Sequence, residues 1–372
     1  MPKVSVILTS YNHARYLSAS IESALAQTFT DFELFIWDDA SSDQSWEIIQ
    51  SYGDARIRAI RNESRRRPIF GINRVISEMA AGEYIAIHHS DDIWEPGKLD
   101  AQVRFLDTHP THGAVFTNAL IIDERGKPST ERTNSYFSIF AQPNRSRYEW
   151  LHFFFFRGNG LCHPSVLIRK AFFDQYGLYR RGFSQVTDLD AWIRMCLHYE
   201  IHVLPEKLVQ FRVPRENINA SSPTPEGIIR TEFEMFRVLD NYLQLSEFEE
   251  IEAIFPEAGK YRSPRGFDPG YVLGMVAVEA KASSQTVLFG LNLLFEALGG
   301  PARAERLKAL YDFDAVRFHE IKGSSKVFCH RGTVLGWRLL QLLRGIRFWL
   351  APTGSTREKL WYAAYDGVKA RL

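Results

Sequence analysis

The chain has 372 residues, of which 45% are hydrophobic and 24% are charged, with a formal net charge of +1. This balance fits one large globular domain or two domains, and it excludes global disorder and collagen-like structure. A net charge so close to zero also provides no overall field that would favour nucleic acid.

Predicted strands and helices alternate regularly in the first third of the chain. There, strand-like apolar runs alternate with helical patterns, which predicts a doubly wound α/β sheet. The predicted strands are Val4–Ser10, Phe32–Trp37, Ile57–Arg61, Glu83–His88 and Gly113–Ile122. The predicted helices are Ala14–Gln27, Ser45–Tyr52, Gly71–Ala81 and Leu99–Thr108.

The pattern loosens after residue 123. A strand at Ser165–Ile168, a helix at Asp188–Tyr199 and a strand at Ile201–Val213 are still predicted. Residues 221–225 are typical of a linker, and residues 226–330 read as helices that carry no chemical motif.

The C-terminus is basic. Residues 331–372 contain eight Lys or Arg and two acids, a net charge of +6, which leaves −5 for residues 1–330. Within this tail, residues 334–350 combine a leucine stripe with flanking Arg and Trp. That pattern suits a helix lying in an anionic membrane surface, and it equally suits a helix packed on the protein itself or on a dimer partner.

Cysteine usage and hydropathy predict the compartment. Cys162, Cys196 and Cys329 lie far apart and form no CxxC motif, which favours a reducing environment. The N-terminal MPKVSVILTS is typical of a strand rather than a signal sequence, and no run reaches the ~20 apolar residues of a membrane span. We therefore expect a cytoplasmic protein, either soluble or peripheral on the cytosolic face of the inner membrane.

Polar residues follow three of the predicted strands. Thr9–Asn12 ends the first strand, Asp38 and Asp39 end the second, and Asp91 and Asp92 follow the run that ends in IAIHH. In a parallel sheet these ends meet at one crevice, where ligands bind. There Tyr11 could stack on a base and Asp39 could accept a hydrogen bond from it. Asp92 could hold Mg²⁺ or Mn²⁺, because hard cations prefer oxygen ligands.

Arginines could complete such a site. Arg65, Arg66 and Arg67 are consecutive and could meet the phosphates of a nucleotide. Each motif alone also has a simpler reading, since paired aspartates commonly cap helices and arginine runs commonly lie in solvent. Their combination, in order at successive strand ends, favours a nucleotide site.

The stretches VSVILTSYN, FIWDDASSDQS and GEYIAIHHSDDIW resemble the signature of family 2 glycosyltransferases. The resemblance covers about residues 1–220. It implies a GT-A type fold: a doubly wound, mixed α/β sheet with a Rossmann-like nucleotide-binding half, here followed by a C-terminal helical region. It also implies a catalytic domain over 1–222, with a nucleotide-sugar half at 1–100 and an acceptor half at 101–222. A helical domain at 223–330 and the tail at 331–372 would follow.

The resemblance implies roles for matching residues. Thr9, Tyr11 and Asp39 would bind the nucleoside, Asp91 the ribose or sugar, and Asp92 the metal, Mn²⁺ or Mg²⁺. VTDLDAWIRM resembles the family's acidic motif and makes Asp188 the catalytic base of an inverting transfer. Arg65 and Arg67 would meet the phosphates. The donor would be a UDP-sugar, although Asp39 alone cannot distinguish uracil from thymine. The acceptor would be a glycan or lipid-linked glycan in surface polysaccharide synthesis.

Some positions depart from the family pattern. Thr187 stands where a glutamate is usual, His89 where many relatives have a further aspartate, and Pro214 where many have a histidine. A second protein ligand for the metal is therefore open, and His88 or His89 could line the donor site. The processive QxxRW motif is absent from the sequence, which favours transfer of a single sugar. Two alternatives stay open: a non-catalytic binding module of the same fold, and a sugar-phosphate nucleotidyltransferase.

Overall fold

The computed structural model describes residues 1–129, 139–214, 224–325 and 327. Its strands are β1 (Val4–Ser10), β2 (Phe32–Asp38), β3 (Ile57–Arg61), β4 (Tyr84–His89), β5 (Ile93–Trp94), β6 (His112–Ile122), β7 (Leu167–Arg169) and β8 (Glu200–Arg212). Its α-helices are α1 (Ala14–Leu25), α2 (Ser45–Gln50), α3 (Pro68–Glu78), α4 (Lys98–Thr108), α5 (Arg147–Arg157), α6 (Lys170–Tyr176), α7 (Thr187–Cys196), α8 (Pro225–Val238), α9 (Phe248–Ile254), α10 (Pro269–Ala280), α11 (Ser284–Ala297), α12 (Pro301–Tyr311) and α13 (Ala315–Ser324).

The strands form one mixed sheet in the order β3-β2-β1-β4-β7-β6-β8-β5. β1 pairs in parallel with both β2 and β4, and β2 pairs in parallel with β3. β7 is antiparallel to β4 and to β6, so it joins this parallel half to the second half of the sheet. The predicted mixed α/β sheet is confirmed, and its parallel half brings the carboxyl ends of β1, β2 and β4 together.

The core lies between the sheet and its helices. Nearly all side chains of β1, β2 and β4 are buried, as expected of parallel strands covered on both faces. Helix α3 approaches β2 closely at Gly71, where an added Cβ would lie 2.6 Å from the indole ring of Trp37. This contact holds the loop before α3 against the end of β2.

In addition to the short helix α6, two elements are not indicated by the sequence pattern. The aromatic block at residues 148–156 is part of helix α5, whose start is fixed by a capping box between Ser146 and Glu149. The second element is β5, which pairs with β8 directly after Asp91 and Asp92. Two residues are too few to show any periodicity, so the sequence could not reveal this strand.

The chain divides into two compact units, Met1–Val272 and the residues from Leu273 onward. The first unit therefore includes α8 and α9, beyond the domain boundary expected at 222, and that boundary stays a prediction. Within the second unit, α10 and α11 meet through Gly274 and Gly290, where a Cβ on Gly290 would lie 2.5 Å from the Gly274 carbonyl oxygen.

Two predictions concern the tail and the membrane. The amphipathic pattern at 334–350 and the rest of the 331–372 tail lie outside the described residues. Among the helices that the structure does describe, none has the length and apolar character needed to cross a bilayer. Cys162 and Cys196 are buried free thiols, while Cys329 lies outside the described part.

Candidate active site

The polar ends of three neighbouring strands lie side by side. Ser10, the last residue of β1, is paired in register with Asp38 of β2. On the other side, Thr9 is paired with His89 at the end of β4. Tyr11 follows β1, Asp39 follows β2, and Asp91 and Asp92 follow β4 closely. As expected, the polar residues that follow these three strands meet at the carboxyl edge of the parallel half-sheet.

Asp39 is buried and holds the loop that follows β3. One carboxylate oxygen accepts hydrogen bonds from the Asn62 side chain at 2.8 Å and from the Arg66 backbone N–H at 2.7 Å. The other accepts the Arg67 backbone N–H at 2.8 Å. A carboxylate offers about four acceptor positions, so one remains for a ligand such as a base N–H.

The same loop places arginines beside Tyr11. The Arg65 guanidinium lies 4.0 Å from the centre of the Tyr11 ring, in a cation–π contact. Arg67 adopts φ 72° and ψ 153°, a conformation that side-chain-bearing residues rarely adopt, immediately before Pro68 opens α3. The structure thus brings Tyr11, Asp39, Arg65 and Arg67 together, with the arginine side chains exposed.

His89, Asp91 and Asp92 form a second group. Each offers one ligand atom, and these atoms lie within 4.8 Å of one another. Asp92 is 1% exposed. One of its carboxylate oxygens accepts the Arg212 backbone N–H at 2.8 Å. The other, buried, has no hydrogen-bond partner among the described residues, and it lies 3.5 Å from His89 Nδ1.

The electrostatics of this group favour a cation. Burial and the neighbouring Asp92 charge raise the pKa of Asp91. Burial lowers the pKa of His89, but Asp92, Asp91 and Asp188 together outweigh that effect and leave it raised. Two carboxylates and one imidazole can serve as ligands of a divalent cation such as Mn²⁺. The buried Asp92 oxygen makes no hydrogen bond of good geometry, and with His89 Nδ1 only 3.5 Å away it is the observation that best fits a bound ion here.

Asp188 lies half-buried in the first turn of α7, close enough to His89 for the two charges to interact. Its carboxylate accepts a hydrogen bond from the Asn159 side chain at 2.6 Å and another from the Leu189 backbone N–H at 2.8 Å. Desolvation raises the pKa of Asp188 to about 6, although these hydrogen bonds and the charge of His89 oppose the shift. A carboxylate with a pKa near 6 is suited to accept a proton near neutral pH.

Asp190, two residues further along α7, lies in a separate hydrogen-bond network. It is fully buried and accepts hydrogen bonds from Arg180 and Arg194, each at 3.1 Å, and from Asn241 at 2.9 Å. This network ties α7 to its surroundings.

The two consecutive histidines have different environments. His88 points into the core, stacks on Trp94 at a ring distance of 4.1 Å and contacts Ser20, so it does not line the crevice. His89 faces the acids and lies 5.2 Å, ring centre to ring centre, from His163. His163 in turn lies 3.2 Å from the Tyr179 hydroxyl. The strand period of two explains why only one of the pair reaches the site.

Sequence reasoning missed two residues of the site. Asn159 supports Asp188, and Arg212 supports the acidic pair through both its backbone and its guanidinium, which donates to the Asp91 carbonyl at 2.7 Å. Asn159 lies between two glycines, which indicates only a turn. Arg212 ends β8, and no spacing in the sequence links it to residue 92.

The sequence of the chain also matches a known protein family. Residues 5–177 match the family described as glycosyl transferase family 2. Residues 5–177 therefore form a glycosyl transferase family 2 domain. The predicted family, and with it the predicted enzyme class of glycosyltransferase, are confirmed at this level.

Relatives in this family include proteins of known sequence from several bacteria. EpsE of Bacillus subtilis (strain 168) is 33% identical over 198 residues, which span 52% of this chain and 66% of that protein. The Escherichia coli protein WfaP, named as a UDP-Glc:alpha-D-GlcNAc-diphosphoundecaprenol beta-1,3-glucosyltransferase, is 38% identical over 108 residues. The match spans 29% of this chain and 43% of WfaP, less than half of that relative's length.

A solved structure has the same fold. S. aureus TarS 1–349, crystallised in complex with UDP-GlcNAc, aligns with a TM-score of 0.53 at 18% identity, over 86% of this chain and 92% of that one. At this identity the likeness shows the fold alone. The predicted GT-A type fold with a C-terminal helical region is confirmed.

Proposed function

We propose that this family 2 glycosyltransferase moves one sugar from a nucleotide-diphosphate sugar to a hydroxyl group of an acceptor, with inversion at the anomeric carbon. The observation that carries the proposal is that Asp39 and the His89–Asp91–Asp92 group lie at one edge of the sheet, with Asp188 close enough to His89 for their charges to interact. A nucleotide pocket, a cation-binding group and a proton acceptor are the three functions that this reaction needs.

The donor would occupy the loop side of the cleft. Asp39 would accept the N–H of the base at its remaining acceptor position, Tyr11 would stack on the base, and Thr9 would line the nucleoside pocket. Asp91 would contact the ribose or sugar. Arg65 and Arg67, whose side chains are exposed, would bind the diphosphate by charge-assisted hydrogen bonds. We propose a uridine nucleotide, supported by the UDP-glucose in the name of WfaP.

Asp92, with His89 and Asp91 beside it, would hold Mn²⁺ or Mg²⁺. A divalent cation held by these residues would supply positive charge against a departing diphosphate. The orphaned buried oxygen of Asp92 supports this role.

Asp188 would act as the base. As the acceptor oxygen forms its bond to the anomeric carbon, the bond from that carbon to the diphosphate breaks, and the hydroxyl proton moves to the Asp188 carboxylate. Asn159 orients this carboxylate by its 2.6 Å hydrogen bond. The single displacement needs no covalent intermediate, so one carboxylate at this side of the cleft suffices.

The acceptor would be a glycan or lipid-linked glycan in surface polysaccharide synthesis. The diphosphoundecaprenol acceptor in the name of WfaP supports a lipid-linked substrate. A cytoplasmic enzyme whose basic tail docks on the inner membrane would meet such a substrate, and a homodimer formed through the tail is the other proposed use of that segment.

Two measurements test the proposal. Thermal-shift assays with UDP-glucose, UDP-GlcNAc, dTDP-glucose and GDP-mannose, with and without Mn²⁺, should show metal-dependent stabilisation by a uridine nucleotide in wild type but not in Asp92→Asn. UDP release with a short-chain GlcNAc-diphospholipid acceptor should then be lost in Asp188→Asn, which still binds donor. If the wild-type protein binds the donor with metal but transfers no sugar to any hydroxyl acceptor, the alternative of a non-catalytic binding module would be favoured.

A further inference from the structure

The chain segment that leads into α7 is held by a single buried carboxylate. Glu234, on α8, is 3% exposed. One of its oxygens accepts hydrogen bonds from the Ser184 backbone N–H at 2.9 Å and from the Ser184 hydroxyl at 2.8 Å. The other accepts the backbone N–H groups of Gln185 at 2.7 Å and Val186 at 3.1 Å. Four donors from three consecutive residues converge on one side chain.

These three residues set the start of α7. Val186 is the N-terminal cap of the helix and has no side-chain capping bond of its own. Asp188 follows two residues later, so its place depends on where the helix begins. Negative charge near a helix N-terminus is favoured by the helix dipole. The Val186 side chain cannot provide this charge, and Glu234 of the neighbouring helix α8 provides it instead.

The region around α8 supports the site at two more points. Asn241, just after α8, donates to Asp190 of α7 at 2.9 Å. Met235 lies beside Gly158, with its Cε atom 3.4 Å from the position of an added Cβ, and Gly158 precedes Asn159, the partner of Asp188. α8 and the turn after it therefore contact both elements that orient the proposed base.

We propose that Glu234 is a positioning residue for Asp188. Its carboxylate fixes residues 184–186, and through them the first turn of α7 and the place of Asp188 in the cleft. This inference rests on the proposed function, in which Asp188 accepts the acceptor's proton. Like Asp188 itself, Glu234 lies beyond the matched family region, which ends at residue 177.

The test compares Glu234→Gln with a matched control. Glutamine keeps the shape but turns an amide N–H₂ toward backbone N–H groups, so at least one donor loses its acceptor. Glu232→Gln makes the same chemical change at an exposed position of the same helix. Hydrogen exchange should be faster at amides 184–186 in Glu234→Gln and unchanged in the control. This readout does not depend on turnover.

Kinetics are measured with UDP-glucose and UDP-GlcNAc as donors and a short-chain GlcNAc-diphospholipid as acceptor. In Glu234→Gln, kcat should fall on the order of 10²-fold, the cost of a misplaced catalytic group, while the donor KM stays within about twofold. In an Asp188→Asn background the same change should lower the residual rate no more than about twofold, because the group it positions is gone.

Three results would overturn the inference. These are a kcat and exchange pattern equal to those of Glu232→Gln, an undiminished loss in the Asp188→Asn background, or a rise in donor KM with kcat unchanged. If Glu234→Gln does not fold, Ser184→Ala removes one of the four hydrogen bonds and should lower kcat a few-fold; an unchanged kcat would count against the inference. Wild-type kcat in Asp188→Asn would instead refute the proposed base itself.

Discussion

Replacing Asp188 by Asn should inactivate the enzyme and stabilise its fold at the same time. Desolvation holds the pKa of Asp188 at about 6, against an ordinary value of 3.8. A shift of about two pKa units corresponds to about 3 kcal/mol. The free energy of unfolding falls by this amount when the carboxyl is ionised in both the folded and the unfolded state. Asparagine resembles the protonated acid and never ionises, so Asp188→Asn should gain up to about 3 kcal/mol in free energy of unfolding at pH 8.

The sign follows from proton linkage. For a carboxyl whose folded pKa is raised, the favourable contribution is complete below the unfolded value of 3.8 and is lost as pH rises through about 6. The stability difference between Asp188→Asn and wild type should therefore be near zero at pH 4 and reach its maximum above pH 7. Urea unfolding followed by tryptophan fluorescence, in EDTA and without nucleotide, measures it.

A control and a refuting result complete this test. Asp31→Asn, at an exposed aspartate, should show no such pH-dependent difference. Turnover in Asp188→Asn should fall by about 10²- to 10⁴-fold, the usual contribution of a general base. If Asp188→Asn is less stable than wild type at pH 8, or if the difference does not change between pH 4 and pH 8, the carboxylate is not desolvated in the way described.

Three further predictions concern the same cleft. In wild type, kcat/KM should fall tenfold per pH unit below about 6, where Asp188 becomes protonated; a flat profile down to pH 5 would contradict its role as base. Asp39→Asn should lower the free energy of unfolding by about 1–3 kcal/mol, because an amide cannot accept from all three donors that the carboxylate holds, and urea denaturation without ligand would show this; an unchanged midpoint would mean that the loop is held by other contacts. His89→Ala should weaken binding of Mn²⁺ in the presence of UDP more than binding of Mg²⁺, because imidazole suits the softer ion; equal losses by calorimetry would remove His89 from the ligand set.

The parallel half of the fold could be predicted from the sequence because its signals are local. VSVILTS and FELFIWD are continuous apolar runs that end on polar groups, and each forms the expected strand within one residue. The place of Asp39, Asp91 and Asp92 at a common edge follows from parallel pairing alone. Their proposed roles in binding and catalysis stay predictions.

The supports of the site could not be predicted because they come from distant segments. Glu234 meets residues 184–186, and the Arg212 backbone meets Asp92 across 120 residues of chain. Periodicity and motif spacing report on neighbours along the chain, so they carry no information on such pairs. Thr187 stands where the family pattern has a glutamate, but this departure gives no indication that Glu234 lies near the start of α7.

The loop held by Asp39 has a consequence for the energetics of donor binding. The unusual backbone of Arg67 costs about 1–3 kcal/mol, and the Asp39 carboxylate offsets this cost when the chain folds. Ordering of residues 66–67 therefore precedes the arrival of a nucleotide, and association does not have to supply the entropy of fixing them. In the proposed donor site, a nucleotide would meet residues 66–67 already ordered, and its binding should carry a smaller entropic penalty than binding at a loop that becomes ordered afterwards.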